Sequence, residues 1–271
     1  MKFLIHCLCL SLILSVLPAH AEITNLSQAI NESGRLRMLS QRLAKAYLLK
    51  AMDIQPQKVS LQFINSKTIF EKNLNELTAF SQSIDDSAAL KLAIDNIYTQ
   101  WQAYLQVLNQ PISTHNAQQI LALSDKTLTA CEGLVSQLEK SSMNQSARWV
   151  NLSGRQRMLS QRIAKFYSAI SLSGQTTVYH KGLQQAVNEF DSALLALIQS
   201  PDNTHFLDHK LKKVATQWNF SKQGFKVLKQ GESTPLVIFM TTEAILKQMN
   251  DITALYEAID NKRVHHSTAE A

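Results

Sequence analysis

Arg37 and Arg157 are the residues best placed to do chemistry. Each follows a glycine by three positions, in Gly34-Arg35-Leu36-Arg37 and in Gly154-Arg155-Gln156-Arg157. A guanidinium is a planar, permanently charged fork of donors, suited to gripping a planar oxyanion. Two such groups cannot share a desolvated gap unless an anion lies between them. Charge-assisted bonds of about 1.5–3 kcal/mol each are enough for micromolar binding, which needs about −8 kcal/mol. The chemistry these residues offer is reversible capture of a small anion, not bond making.

The arginines repeat because the segment around them repeats. Residues 31–47 read NESGRLRMLSQRLAKAY and residues 151–167 read NLSGRQRMLSQRIAKFY, identical at 13 of 17 positions. On a helix of 100° per residue, Leu36, Leu39, Leu43 and Tyr47 form one stripe, expected to face a bundle core. The opposite stripe carries Gly34, Arg37, Met38, Gln41, Ala44 and Leu48; its duplicate carries Gly154, Arg157, Met158, Gln161 and Ala164. Glycine in a helix interior costs about 1 kcal/mol relative to alanine, so something should offset it. A helix with two buried faces needs two neighbours, and the simplest second neighbour is its own duplicate, paired about a pseudo-twofold axis. The candidate binding residues are therefore Arg37, Arg157, Gly34, Gly154, Met38, Met158, Gln41 and Gln161. Arg35, Arg42, Lys45 and their equivalents Arg155, Arg162 and Lys165 are expected on the outer face or in salt bridges. Gln156 stands at a core position that Leu36 fills in the first copy.

Long helices must position this face. The chain has 271 residues with only 7 Gly and 5 Pro, far below the roughly 12% of typical proteins. So few breakers leave few, long elements and argue against sandwiches, barrels and glycine-cradled nucleotide folds. Pro56, Pro111, Pro201, Pro235, Gly174 and the run from Ser83 to Ser87 mark the expected boundaries. Further matches recur in the same order: Phe70, Leu74, Leu77 with Phe190, Leu194, Leu197; Thr99-Gln100-Trp101 with Thr216-Gln217-Trp218; and Leu128, Leu134, Glu139 with Leu246, Ile252, Glu257. The expected fold is all-α: two tandem up-down four-helix bundles, 22–140 and 141–262, related by a pseudo-twofold. Only residues 141–145 separate the closing helix of the first from the opening helix of the second, which allows one continuous central helix. Residues 263–271 are expected as a disordered polar tail.

Residues 1–21 read as a secretory signal peptide. Lys2 precedes an apolar run from Phe3 to Leu17, and Ala19-His20-Ala21 is a cleavage site. Cleavage removes Cys7 and Cys9, leaves Cys131 as a lone thiol expected in core packing at the position equivalent to Met249, and lowers the formal charge of +6 by one. The expected product is periplasmic, has no later membrane span, and is too mildly basic to suggest nucleic acid. His205 and His209 are spaced like metal ligands but lack a third partner. No nucleophile triad, phosphate loop or CxxC motif is present. Neither metal, cofactor nor enzymatic activity is expected.

The run N-x-S-G-R-x-R-M-L-S-Q-R resembles the signature helix of the PilJ-type domain, the N-terminal region of certain methyl-accepting chemotaxis transducers. It is similar to the periplasmic domain of NarX-type nitrate/nitrite sensor kinases. The resemblance is sharp over the 17 motif residues of each copy and extends diffusely over 22–262. It implies a four-helix bundle and an anion held between symmetry-related arginines three positions after the motif glycine, here Arg37 and Arg157. The chain departs from that pattern in carrying the domain twice, without a transmembrane or output segment. The leading expectation is an exported binding protein holding nitrate or nitrite between its repeats. It would signal or deliver to a membrane-bound sensor or transducer, as a monomer with an internal pseudo-dimer or as a homodimer. The rival is a helical interaction module of a transducer or type IV pilus system, with no small ligand, docking through the Gly/Ala/Met face.

Overall fold

The computed structural model describes residues 23–84, 87–142, 147–173, 177–229 and 234–269, with side chains placed except at 226–229 and 264–269. The expected signal peptide and Gly174 lie outside the described residues. Eight helices follow in order: α1 (Leu26–Ala51), α2 (Pro56–Gln82), α3 (Ala88–Leu108), α4 (Thr114–Ser141), α5 (Ala147–Ser173), α6 (Thr177–Ile198), α7 (His205–Lys229) and α8 (Pro235–Ala269). There is no strand among the described residues.

Local chemistry sets the helix ends. The Asn25 side chain accepts from the backbone N–H of Gln28 at 2.9 Å and caps α1. Ser113 caps α4 in the same way through Asn116 at 3.1 Å. Each such cap contributes about 1 kcal/mol. Pro56 and Pro235 open α2 and α8 at the first helical position, where a missing N–H removes no helix bond. Pro111 and Pro201 fall in the connections ahead of α4 and α7.

In the first bundle α1 packs on α2 and α4, and α3 closes the square against α4 and, more thinly, α2. In the second, α5 packs on α6 and α8, with α7 against α8 and more thinly α6. Neighbours run antiparallel: Tyr47, near the end of α1, donates to the carbonyl of Pro111 just ahead of α4, at 3.2 Å. Tyr167 meets the Thr234 hydroxyl ahead of α8 at 3.1 Å. The cores repeat too. Phe70 stacks on Trp101 at 4.0 Å between centroids, and Phe190 sits on Trp218 at 4.3 Å. Aromatic pairs of this kind add about 0.5–1.5 kcal/mol beyond their burial.

The most extensive helix contact in the molecule is α1 against α5. Arg37 reaches Asn151 and Lys45 reaches Gln161, so partners advance together and the two helices run parallel. The contacts are reciprocal: Arg37 bonds Asn151 while its duplicate Arg157 bonds Asn31. This is the pseudo-twofold the sequence repeat predicts, with its axis along the α1–α5 pair.

Two expectations fail. The central helix is not continuous: α4 ends at Ser141, and Ser142 is extended at φ −85° and ψ 120°. The reason is topological. To lie parallel to α1, α5 must run opposite to α4, so the chain has to reverse between them. The polar tail is not unstructured from 263: α8 runs as helix to Ala269. No glycine or proline follows Pro235 within the helix to break it.

Candidate functional site

The expected binding face of α1 is turned onto that of α5. Arg37 is 0% exposed and Arg157 2%. A Cβ placed on Gly34 would lie 3.2 Å from Nη2 of Arg37 and 3.4 Å from Nη2 of Arg157; on Gly154 the distances are 3.6 Å and 3.2 Å. Both guanidinium tips therefore converge on both glycines. The missing Cβ atoms make the room, which is what offsets the helical cost of glycine here.

Each arginine crosses the seam. Nη2 of Arg37 donates to Oδ1 of Asn151 at 2.6 Å, and Nη2 of Arg157 donates to the carbonyl of Asn31 at 3.0 Å. Asn31 is further held by donating to Glu257. On their outer sides the two differ. Nη1 of Arg37 forms a salt bridge with Glu132 on α4 at 3.1 Å. Nη1 of Arg157 reaches only the amide oxygen of Asn250 on α8, at 3.5 Å. Arg157 has no carboxylate within salt-bridge distance among the described residues. The Nε donors of both arginines are buried without a partner among the described residues.

The electrostatics follow this geometry. Burial, then the neighbouring cation Arg35, push Arg157 down to about 9, with Arg37 adding to the repulsion and Glu32 and Glu257 opposing it. Burial also lowers Arg37, and Glu132 pulls it back. A guanidinium keeps its proton in proteins, so the shift measures how poorly the buried charge of Arg157 is compensated. The pair is a preformed concentration of positive charge with unused N–H donors.

Met38 and Met158 lie in the hydrophobic core, and Gln41 and Gln161 are fully buried. The glutamines belong to a second polar layer one turn further along. Gln41 donates to the carbonyl of Ser124, and Gln161 accepts from Lys45 at 2.6 Å. Lys45 and Lys165 are 0% exposed, so of the two expected placements, outer face or salt bridge, the salt bridge is the one found. Lys45 reaches across the seam to Glu243 on α8, and Lys165 reaches Asp125 on α4 at 2.7 Å. Burial drives both lysines down to about 8. Burial would raise Glu243, but Lys45 and Arg42 outweigh it and hold the carboxyl at about 2. Arg35, Arg42 and Arg155 form the expected salt bridges, with Glu32, Glu243 and both Glu132 and Glu189. Arg162 approaches Asp125 at 3.9 Å. Gln156 is buried and donates to the Phe190 carbonyl at 2.9 Å. Cys131 and Met249 are both fully buried in the core.

Sequence reasoning missed Asn31, Asn151, Glu132 and Asn250. The two asparagines had a signal: each opens a copy of the 17-residue match. The other two did not, because they sit on helices joined to the motif only in three dimensions.

Fold and site together define a duplicated all-α bundle whose repeats meet along a polar, arginine-bearing seam. The family of type IV pili methyl-accepting chemotaxis transducer N-terminal domains, PilJ, matches residues 20–127 and again 140–237. The chain belongs to the PilJ family and carries its domain twice. No curated protein and no solved structure matches the chain. No helix among the described residues is long and apolar enough to cross a membrane.

Proposed function

We propose that this chain is an exported helical module of a chemotaxis-transducer or type IV pilus system. Membership of the PilJ family carries this reading, and the signal-like residues 1–21 support a periplasmic location. The partner does not dock through the Gly/Ala/Met face, because Gly34, Met38 and Ala44 are covered within the chain. What remains for a partner is the outer surface, where Leu61 and Ile64 of α2 and Val237 and Met240 of α8 are exposed.

A second reading rests on one observation: two buried guanidiniums converge on the same glycines, and Arg157 has no carboxylate partner among the described residues. On this reading a small planar oxyanion, nitrate or nitrite first, sits between Arg37 and Arg157, and its occupancy is what the module reports. The similarity of the motif to NarX-type periplasmic domains supports the choice of ligand. Titration calorimetry with nitrate and nitrite separates the two readings. Saturable binding to the wild type that is lost in Arg157→Ala supports the ligand. No heat and no thermal shift leave the interaction module alone.

A further inference from the structure

The two halves of the arginine site are not equivalent, and one residue makes the difference. Leu128, Cys131 and Leu134 of α4 correspond to Leu246, Met249 and Ile252 of α8, and both sets are buried in the cores. The same register pairs Asp125 with Glu243, and these do play the same part, binding Lys165 and Lys45 across the seam. It also pairs Glu132 with Asn250, and both of these face the outer nitrogen of the arginine in their own bundle. The second half thus has an amide where the first has an acid, at the same height and against the same atom. Arg37 has a carboxylate in contact and Arg157 has none among the described residues, only Glu32 and Glu257 at longer range, in a site with two buried Nε donors unused among the described residues.

Glu132 is also shared between two arginines. Its side chain is 32% exposed, and its second oxygen accepts from Nη1 of Arg155 at 3.3 Å. Arg155 also has Glu189 as a partner, whereas Arg37 is fully buried with Glu132 as its acid, so Glu132 stays with Arg37. Asn250 provides no such compensation on the side of Arg157.

We infer that Glu132 is a resident counter-ion that stays with Arg37, so that the arginine pair offers one unpaired charge and takes a small monoanion in preference to a dianion. This rests on the oxyanion reading above. An added or removed unit charge a few ångströms from the ligand, discounted for partial exposure, changes affinity by about tenfold or more.

Titration calorimetry of the full chain with nitrate and with sulfate tests it, on the wild type, Glu132→Gln and Asn250→Asp. The wild type should bind nitrate at least about tenfold more tightly than sulfate. Glu132→Gln should tighten both, sulfate more, and erase the preference. Asn250→Asp should supply the missing acid and weaken nitrate about tenfold. Thermal melts check that each variant is folded. Unchanged affinities in a folded Glu132→Gln, or a wild type that takes sulfate as tightly as nitrate, overturn the role of Glu132 and leave the oxyanion reading intact. If neither anion binds the wild type or Glu132→Gln, the oxyanion reading itself falls. Binding by Glu132→Gln alone would show the counter-ion holding the site closed, which overturns the monoanion preference.

Discussion

Gly34 and Gly154 are the residues whose cost is most plainly tied to the site. Each stands mid-helix, and each leaves space that both guanidinium tips occupy. Gly34→Ala should therefore cost stability despite a helix-propensity gain of up to about 1 kcal/mol, because the added Cβ presses on two buried guanidiniums and their bonds across the seam. The expected result is a lower thermal midpoint with nitrate affinity down about tenfold; an unchanged midpoint and affinity would show that the arginines move aside freely. The buried lysine layer makes a separate prediction. Glu243 is held at about 2 against an ordinary 4.5, so the unfolded chain takes up its proton first. The stability it contributes is complete above pH 4.5 and is lost as pH falls toward 2. Removing this partner of the buried Lys45 in Glu243→Gln should cost about 3 kcal/mol at pH 7. Chemical denaturation across pH should show the two proteins converging in acid; a constant gap would contradict the ion pair. The arginines could be found from sequence because glycine spacing and duplication coincide at them. The burial of Lys45 could not, since a lysine on a helix is ordinarily solvated, and its partner lies 198 positions away.

At the scale of elements, the helix boundaries were readable because proline acts locally. Pro56 and Pro235 start helices, and Pro111 and Pro201 lie between them. The break between α4 and α5 was not readable, because Ser141 and Ser142 carry no local stop signal and the reversal is demanded by packing against α1. The partners of the arginines were hidden for a related reason. The closing-helix match of Leu128 and Leu134 with Leu246 and Ile252 already aligns Glu132 with Asn250 in the sequence, but only the assembled bundles bring the two against the arginines. The divergence at Gln156 was visible, and its consequence is testable. Its Nε2 donates to a helix carbonyl, while its Oε1 is buried without a partner among the described residues. An unsatisfied buried acceptor costs about 1–3 kcal/mol. Gln156→Leu, which matches Leu36 of the first bundle, should raise stability by about 1 kcal/mol in chemical denaturation. A loss of stability would mean that the bond to Phe190 matters more than the orphaned oxygen.

The whole molecule is organised by its seam. Lys45 finds its acid on α8 of the second bundle, and Lys165 finds its own on α4 of the first. Each half thus completes the buried charges of the other, and neither can open without stranding a cation. The chain should unfold in one calorimetric transition, with equal calorimetric and van't Hoff enthalpies; two resolved transitions would contradict the coupling. The same seam brings the arginines together, and the oxyanion reading depends on what their free donors do. The most direct measurement is a nitrate titration followed by NMR at the arginine Nε–H groups, with Arg37→Lys and Arg157→Lys used to assign them. The account predicts that both resonances move together and saturate at one nitrate per chain. Resonances that stay fixed, or that drift without saturating, would contradict it.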